Sequence, residues 1–491
     1  MSLRVHQMLD VQVAARPDAP AISDTQGERW TYTDLAAATD RLAQALRSMG
    51  VQPNDRVMIV LENCAAAVAA IFATSQLGAS FVPVNARQTA AELARVIQHA
   101  DPAAILLTTD VSEDAATHAA ELGAHPLPAT PGLAAVTHTS APDPVLEDVA
   151  TLLYTTGTTG TPKAVMLTHA NLYFGSDVAR GARDVTHRDV LYGVLPISHV
   201  FGLTSVVLTA AAAGASVRLE PRFVPARLYD ALRDGVTLLS AVPQMHALLM
   251  QYTKEQGHDR LHSDTLRYVS SGAAPLDPDW KRRAEAFFGL PLQNGYGMTE
   301  CTAGVCLTHH RMGDPDISVG QPFPGVEVRL DADAPGGDGD VGEILVGGGG
   351  VMKGYFRNDA ETARTLLPGG WMRTGDLGRF DAAGNLHIAG RSKELIIHGG
   401  FNVYPPEVEA ALNDHPQVIQ SAVIGHKVDG DEKVWAFVQA APDDWPDAEA
   451  LGQFVAARLA GYKRPARIIV AERLPAAPTG KILKHKLIET L

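Results

Sequence analysis

The sequence predicts an α/β protein with a large N-terminal domain of helix-covered β-sheets that includes a small β-rich subdomain, followed by a small, mobile α+β C-terminal domain. Three observations predict this fold class. Helix-like and strand-like segments alternate over the first part of the chain, short Gly/Pro/Asp-divided strands begin at about Gly320, and a compact mixed segment closes the chain. With 491 residues the chain exceeds what one hydrophobic core usually holds, so at least two domains are expected.

The first elements set the alternating pattern. "TDLAAATDRLAQALRSMG" predicts a helix with Thr33 as N-cap and Gly50 as its stop. "DRVMIVLEN" predicts a buried strand, "CAAAVAAIFATSQLG" a second helix and "SFVPV" another strand. The pattern recurs around "VTLLSAVP" and "LRYVSSG". Such alternation is typical of parallel sheets covered by helices.

The last third of the sequence changes character twice. From Gly320, "VGQPFPGVEVRLDADAPGGDGDVGEILVGGGGVMKGYF" predicts short strands joined by tight turns. After "GRSKELIIHGGFNVYPPEVEAAL", strands are expected in "VIQSAVIGH", "EKVWAFVQA" and "ARIIVAE", with a helix in "AEALGQFVAARLAG". We therefore expect an N-terminal domain of residues 1–391 and a C-terminal domain of residues 392–491.

Composition excludes several classes of function. The formal net charge of −14 argues against nucleic acid or an anionic membrane as the main partner. The three cysteines, Cys64, Cys301 and Cys306, form no disulfide framework, and the N-terminus has no signal-peptide pattern, so a cytoplasmic protein is expected. "VFGLTSVVLTAAAAGASV" is uncharged but is interpreted as a buried helix and strand rather than a membrane span. Monomer and homodimer both remain open.

A Thr/Gly-rich loop, "YTTGTTGTPK" (154–163), predicts a phosphate-binding function. Glycine amides approach an anion closely, and threonine hydroxyls and a lysine add donors. It is not the G-x-x-x-x-G-K-[ST] loop of P-loop enzymes, because Gly157 and Gly160 are only three positions apart and Lys163 follows Pro162. A second partial match, "PTGKIL", lacks the first glycine and the Ser/Thr.

Seven motifs in order resemble the ANL superfamily of adenylate-forming enzymes: acyl-CoA synthetases such as 4-coumarate–CoA ligases, peptide-synthetase adenylation domains and firefly-type luciferases. The resemblance spans Thr31 to Lys484. Its motifs are "YTTGTTGTPKAV", "LPISHVFGL", "SSGAAPL", "NGYGMTE", "GWMRTGDLG", "GRSKELIIHGGFNVYPPEVE" and "PAAPTGKILK".

The resemblance implies a nucleotide site for ATP and Mg²⁺. Tyr296 would stack on adenine, Thr299 would contact the α-phosphate, Glu300 would hold the metal, and Asp376 would bind the ribose with support from Arg391. The remaining ATP and AMP contacts implied by the motifs are Thr155, Thr156, Gly157, Thr158, Thr159, Gly160, Lys163, Gly272, Ala273, Ala274, Asn294, Gly295, Gly297, Met298 and Ile388.

The resemblance also implies two half-reactions in one site. Lys481 would bridge the carboxylate and the ATP phosphates while acyl-AMP and pyrophosphate form, and His199 would act as a gate near the carboxylate. The C-terminal domain would then turn at a hinge, Lys393, and coenzyme A would enter a tunnel lined by the stretch His398, Gly399, Gly400 and Phe401.

The acid is only partly specified. No carboxylate occurs between Leu191 and Leu219, which argues against an amino acid, since its ammonium would lack a counter-charge. Malonate-activating relatives carry Arg at the position of Gly295, so a dicarboxylate is less favoured. An acyl pocket of apolar or small residues is expected, which favours a fatty or aryl acid. Its members are Phe201, Ser205, Val242, Met245 and Ala303.

Four alternatives remain open besides an acyl-CoA synthetase. They are an acyl-AMP ligase that loads a carrier protein, a malonate-type CoA ligase, a luciferase-like oxygenase and a non-catalytic adenylate-binding protein. Oxygen uptake would identify the oxygenase. The joint presence of Lys481, Glu300 and Asp376 argues against the non-catalytic protein.

Overall fold

The computed structural model describes residues 3–128, 130, 132–155, 163–272, 276–398, 401–428, 431–442, 444–476 and 482–490. Up to Thr168, strands and helices alternate. The strands are β1 (Pro20–Ser23), β2 (Arg29–Thr31), β3 (Arg56–Leu61), β4 (Ser80–Asn85), β5 (Ala104–Leu107), β6 (His125–Pro126), β7 (Ala134–Thr137), β8 (Val149–Thr155) and β9 (Lys163–Thr168). The helices are α1 (Gln7–Ala15), α2 (Tyr32–Ser48), α3 (Ala65–Gln76), α4 (Ala90–Ala100) and α5 (Glu113–Leu122).

The middle of the chain continues the alternation. Its helices are α6 (His169–Ala182), α7 (Val200–Gly202), α8 (Thr209–Ala213), α9 (Pro225–Arg233), α10 (Pro243–Glu255) and α11 (Pro278–Phe288), with a π-helical segment, Leu203–Leu208, between α7 and α8. Its strands are β10 (Val190–Gly193), β11 (Ser216–Leu219), β12 (Leu238–Ala241), β13 (Tyr268–Gly272), β14 (Leu292–Tyr296), β15 (Cys306–Leu307) and β16 (Gln321–Pro322).

The last part of the chain is richer in strands. These are β17 (Val326–Asp331), β18 (Gly342–Gly348), β19 (Gly354–Tyr355), β20 (Leu366–Leu367), β21 (Trp371–Phe380), β22 (Leu386–Arg391), β23 (Ile396–His398), β24 (Phe401–Val403), β25 (Gln420–Val428), β26 (Asp431–Gln439) and β27 (Arg467–Ala471). The helices are α12 (Asp359–Thr365), α13 (Pro405–Asn413) and α14 (Ala448–Ala456). Short 3₁₀ turns occur at Pro144–Leu146, Thr299–Cys301, Ser392–Glu394, Gly461–Lys463, Lys484–Lys486 and Ile488–Thr490.

Two large sheets form the N-terminal part. One has the order β16-β15-β14-β13-β12-β10-β11-β1-β2, and the other β19-β9-β8-β4-β3-β5-β7-β6. Their central pairs, such as β12 with β13 and β3 with β4, are parallel, and antiparallel strands close the margins. The predicted helix-covered parallel sheets are therefore confirmed.

The β-rich subdomain and the C-terminal α+β part are also present. A five-stranded sheet contains β17, β18, β21 and β20 in order, with β22 paired to β21. Beyond it, β25, β26 and β27 form a separate three-stranded sheet. This sheet and helices α13 and α14 enclose their own hydrophobic core, which includes Val403, Leu412 and Val434.

Helix α2 begins two residues earlier than the sequence predicts. The N-cap is Thr31, not Thr33, because Thr31 and Asp34 form a reciprocal capping box. The Asp34 amide donates to Thr31 Oγ1 (3.1 Å), and Asp34 Oδ2 accepts from the Thr31 amide (2.9 Å). The helix ends at Ser48, and Gly50 follows with a φ of +91°, as its expected role as a stop requires.

The uncharged segment from Val200 to Val217 is interior, as expected. It forms the helical run from α7 to α8 and then β11, and most of its side chains are buried. No helix in the described part of the chain combines the length and apolarity that crossing a bilayer requires.

A cleft separates helix α11 from the C-terminal part. Asp277 caps α11 by accepting from the Trp280 amide (2.7 Å), and its carboxyl also meets Asp414 at the end of α13. Burial, followed by the hydrogen bond to Asp414, raises the pKa of Asp277 to about 7. The adjoining cleft has a volume of about 410 Å³ and is lined mainly by charged residues of α11.

Candidate active site

The carboxyl ends of β13 and β14 bring two predicted loops together. Gly272 lies opposite Gly295 in this parallel pair, and Tyr296 ends β14. Open α/β sheets bind ligands at this edge, where the carboxyl ends of the strands point. A side chain at Gly297 would place its Cβ 1.4 Å from the carbonyl oxygen of Ala303, so the turn after Tyr296 requires glycine.

Asp376 anchors the predicted nucleotide residues to one another. The Tyr296 hydroxyl donates to Asp376 Oδ2 (2.6 Å), and Arg391 Nε lies 3.2 Å from Asp376 Oδ1. Arg391 faces Asp376 across the β21–β22 pair, which explains the contact. Asp376 is 6% exposed, while Arg391 is exposed. Burial, followed by the negative charge of Asp376, raises the pKa of Tyr296, so its hydroxyl remains a donor.

Glu300 lies in a buried polar cluster beside this carboxylate. Its Oε1 accepts a hydrogen bond from the Tyr355 hydroxyl (2.9 Å), and both side chains are less than a tenth exposed. Burial raises the pKa of Glu300, and the hydrogen bond from Tyr355 and then the nearby Lys163 partly offset this effect. The Lys163 ammonium forms an ion pair with Glu361 and lies 5.4 Å from the centre of the Tyr355 ring. Tyr355 is therefore a neighbour of both Glu300, the predicted metal ligand, and Lys163, the predicted phosphate-binding lysine.

The described ends of the phosphate loop form a β-hairpin. Thr155 ends β8 and lies opposite Lys163, the first residue of β9. Several predicted residues lie outside the described part of the chain: Thr156, Gly157, Thr158, Thr159 and Gly160 of this loop, Ala273 and Ala274, Gly399 and Gly400, and Lys481.

His199 lies at the start of the helical run that borders the predicted acyl pocket. Its Nδ1 accepts from the Phe201 amide (3.3 Å), and its ring is exposed. The Phe201 ring stands 3.4 Å from the position that a Cβ on Gly272 would occupy. Ser205 lies further along the same run and is half-buried.

The other predicted residues occupy the same neighbourhood or its margin. Thr299 is buried and begins the 3₁₀ turn that carries Glu300. Asn294 is buried and donates to the Ser318 carbonyl (2.9 Å), so its amide supports the loop. Ala303 adopts a φ of +84°, a strained value for a residue with a side chain. Ile388 and Met298 are half-buried, and Val242 and Met245 are buried around the start of α10.

The predicted hinge and thiol-tunnel residues lie beyond β22. Lys393 is exposed in the 3₁₀ turn Ser392–Glu394, which links the five-stranded sheet to the C-terminal part. His398 and Phe401 face each other across the β23–β24 pair. The Phe401 ring is 57% exposed and stacks on Tyr462 (centroids 4.7 Å apart).

Sequence reasoning missed Tyr355 and Glu361. They lie 55 and 198 residues from their partners, Glu300 and Lys163. No periodic or spacing pattern links residues so distant. In the segment "KGYF", only the glycine and the aromatic residues could have suggested a functional role for Tyr355.

The residues fit a divalent cation bound together with phosphate oxygens. Burial of a carboxylate disfavours its ionised form and raises its pKa, and an adjacent positive charge stabilises that ionised form. Glu300 is such a group, and a hard cation held by one carboxylate and substrate phosphates is the usual arrangement for Mg²⁺. The described residues contain no cluster of three or more His, Cys, Asp or Glu that would hold a metal by protein ligands alone.

Comparisons with known proteins match both parts of the chain. A family model described as AMP-binding enzyme matches residues 9–356, and one described as AMP-binding enzyme C-terminal domain matches residues 407–481. A feruloyl-CoA synthase from Amycolatopsis sp is 35% identical over 474 residues, which cover 94% of each chain.

Two solved structures share the fold over nearly the whole chain. ATP-bound MatB from Rhodopseudomonas palustris has a TM-score of 0.84 and 31% identity, covering 99% of each chain. The o-succinylbenzoate coenzyme A synthetase MenE from Bacillus subtilis, in complex with ATP and magnesium ion, has a TM-score of 0.83 and 28% identity. That match covers 98% of this chain and 99% of the MenE chain.

Proposed function

Because the chain belongs to the AMP-binding enzyme family and is an AMP-forming acid–CoA ligase, we propose that it activates a fatty or aryl carboxylic acid with an apolar body. The acid is converted to acyl-AMP with release of pyrophosphate, and the acyl group then passes to CoA as a thioester. The observation that carries this proposal is the joined set of Tyr296, Asp376 and Arg391, with the Phe201 ring standing beside Gly272.

In the first half-reaction, a carboxylate oxygen attacks the α-phosphorus of ATP, and the bond to the pyrophosphate oxygen breaks. Asp376 accepts hydrogen bonds from the ribose hydroxyls while Arg391 and Tyr296 hold its orientation. Lys163 lies at the base of the phosphate loop, where its ammonium balances phosphate charge. Glu300 would hold Mg²⁺, which when bound neutralises the phosphate oxygens.

In the second half-reaction, the CoA thiolate attacks the acyl carbonyl carbon, and AMP leaves. Domain alternation joins the two halves: residues 392–491 turn as a body at Lys393, so that Lys481 serves adenylation and the His398–Phe401 segment serves thioester formation. The separate core of the C-terminal sheet and the exposure of Phe401 support this proposal.

Two other acceptor or substrate classes remain as alternatives. One is an acyl-AMP ligase that loads a carrier protein, and the other is a CoA ligase for a malonate-type dicarboxylate. Competition between CoA and a holo-carrier protein for the adenylate distinguishes the first. Gly295, in the place where malonate-type enzymes carry Arg, weighs against the second.

The test is ATP–pyrophosphate exchange across a panel of acids. The panel runs from acetate to palmitate and includes malonate, benzoate, cinnamates and several amino acids. Exchange that depends on a fatty or aryl acid, followed by CoA thioester formation with the same acid, supports the proposal. Exchange only with malonate or only with amino acids contradicts it.

Lys481→Ala tests domain alternation. Adenylation should fall by orders of magnitude, while thioester formation from supplied acyl-AMP and CoA should remain close to wild type, because the lysine serves only the first half-reaction. An equal loss in both half-reactions would contradict the two-conformation scheme.

A further inference from the structure

A half-buried lysine joins three separate parts of the C-terminal segment. Lys484 begins the 3₁₀ turn Lys484–Lys486, and its side chain is 23% exposed. Its Nζ lies 2.9 Å from Glu394 Oε2 and 2.8 Å from Glu409 Oε1. Glu394 ends the 3₁₀ turn that contains the proposed hinge, Lys393, whereas Glu409 belongs to helix α13. One ammonium therefore ties the last described segment of the chain to the hinge turn and to α13.

The charges of this cluster favour a fixed geometry. Burial alone would lower the pKa of Lys484, but the carboxylates of Glu409 and Glu394 outweigh this effect and raise the pKa above its ordinary value. The ammonium therefore stays charged, and both of its contacts are charge-assisted. Glu409 Oε1 also accepts a hydrogen bond from the Val423 amide of β25 (2.8 Å), which holds this carboxylate in place. Because the cluster is partly shielded from water, salt screens it less than a surface ion pair.

The same segment carries Lys481, the lysine that is expected to serve adenylation. Lys481 itself lies outside the described residues, and the described chain resumes beside it at Ile482. Ile482 forms an isolated antiparallel bridge with Ala476, and the Leu483 amide donates to the Pro475 carbonyl (2.8 Å). The described base of the segment is therefore closed directly next to Lys481.

Two kinds of contact hold the chain after Lys481. Ile482 packs against a small apolar cluster that includes Phe437 and Leu487. Hydrophobic contacts are non-directional, so they hold the segment on the sheet without fixing its orientation. The two ion pairs of Lys484, three residues after Lys481, supply the direction, because each of them joins the segment to one defined atom.

The action of a catalytic cation depends on its place. A preorganised charge stabilises a transition state only where charge develops, and a misplacement of about 1 Å can cost about a hundredfold in rate. Rotation at Lys393 brings Lys481 to the site accurately only if the segment moves together with the hinge turn. The cluster of Glu394, Lys484 and Glu409 makes the hinge turn, α13 and this segment one unit.

We propose that Lys484 is a positioning residue for adenylation. By joining Glu394 and Glu409 it fixes the segment that carries Lys481, so that rotation at the hinge delivers that lysine to a defined place between the carboxylate and the ATP phosphates. This inference rests on the proposed function, because Lys484 acts only through Lys481. The role requires no contact between Lys484 and the acid or the nucleotide, and it predicts an effect on adenylation but not on thioester formation.

The test separates the two half-reactions in Lys484→Met. Adenylation is measured by ATP–pyrophosphate exchange with the panel acid that gives the fastest wild-type exchange, and thioester formation is measured from the supplied adenylate of that acid and CoA. The kcat of exchange should fall about tenfold to a hundredfold, with KM for ATP and for the acid within about twofold of wild type, because only a transition-state interaction is lost. Thioester formation should stay close to wild type. Lys484→Arg keeps the charge and should restore most of the exchange.

Glu409→Gln is the milder variant, because Lys484→Met leaves two carboxylates facing each other without a counter-charge. It keeps the size of the side chain and an acceptor for the Val423 amide, but it removes one charge from the cluster. Exchange should fall by a smaller factor than in Lys484→Met, again with thioester formation preserved. This variant keeps the inference testable if Lys484→Met does not fold.

Lys463→Met is the matched control. The Lys463 side chain is 19% exposed and pairs with Glu407 of the same helix α13 (2.6 Å), so its loss removes a comparable ion pair. Glu407 and Glu409 are two residues apart and therefore lie on different faces of α13. The control should lower Tm and leave exchange close to wild type.

Equal losses in both half-reactions of Lys484→Met would assign the lysine a purely structural role and overturn the inference, since a loosened C-terminal part would impair both. A loss of exchange in Lys463→Met equal to that in Lys484→Met would also overturn it. Unchanged exchange in Lys484→Met, beside the expected collapse in Lys481→Ala, would overturn it and leave the proposed function intact. A wild-type enzyme that exchanges with no acid would overturn the inference together with the proposed function.

Discussion

The substitution Tyr296→Phe removes one hydroxyl and tests whether that hydroxyl positions the Asp376 carboxylate to bind the nucleotide. The substitution keeps the ring that is expected to stack on adenine and deletes only the donor to Asp376 Oδ2. The 2.6 Å separation and the burial of Asp376 indicate a strong, charge-assisted hydrogen bond.

The expected magnitude follows from that bond. A hydrogen bond to a charged group contributes about 1.5–3 kcal/mol, and about 1.4 kcal/mol changes an equilibrium constant tenfold. If most of this energy positions the carboxylate for the ribose, AMP binding should weaken by about tenfold to a hundredfold. Arg391 remains in place, so the carboxylate keeps one partner and the fold should persist.

Calorimetric titration of AMP gives the affinity directly, and thermal unfolding reports stability on the same samples. Tyr32→Phe is the control, because it deletes a buried hydroxyl that donates to the Ala215 carbonyl (2.7 Å) away from the site. The control should lose some stability and bind AMP normally. Wild-type AMP affinity in Tyr296→Phe, beside a clear loss in Asp376→Ala, would refute the positioning role of this hydroxyl.

Three further predictions concern other parts of the molecule. Tyr355→Phe removes the donor to Glu300, so half-maximal exchange should require several-fold more Mg²⁺; an unchanged titration would contradict the role given to Glu300. Gly297→Ala sets a methyl group against a backbone oxygen at 1.4 Å, so Tm and exchange should both collapse, and a wild-type Tm would contradict the described turn. Because the pKa of Asp277 is raised from 3.8 to about 7 in the folded protein, stability should fall as pH rises through this interval and remain low above it. Asp277→Asn, which can still cap its helix, should flatten this dependence in Tm measured between pH 5 and pH 8; a slope equal to wild type would show that contact with Asp414 does not control it.

Local signals in the sequence were sufficient for the architecture. The apolar run Arg56–Leu61 forms β3, and the Ala-rich segment after Cys64 forms α3. Because both elements are buried on nearly all sides, their sequences are almost uninterrupted apolar stretches, which are easy to recognise. The N-cap of α2 was wrong by two residues, since a threonine occurs at both positions and only the reciprocal bond with Asp34 decides between them.

The site was predictable where residues cluster in motifs and not where partners are distant. Asp376 and Arg391 each lie in a recognisable segment, and their pairing follows from a hairpin. Tyr355 and Glu361 lie outside the recognised motifs, and their importance depends on long-range packing that brings them to Glu300 and Lys163. The sequence does not distinguish a polar residue that is buried against a specific partner from a solvated one, so such residues are identified only once the fold is known.

The arginine that contacts the nucleotide carboxylate is also the last residue of β22, and the 3₁₀ turn with the proposed hinge begins at the next residue. A rotation at Lys393 would therefore start two residues along the chain from Arg391, which contacts the carboxylate that is expected to bind the ribose. A bound nucleotide would then stiffen the pivot itself, so the timing of rotation would respond directly to whether AMP is held or released. The site would hold ATP as reactant and AMP as product, and in both cases the bound nucleotide would restrain the rotation.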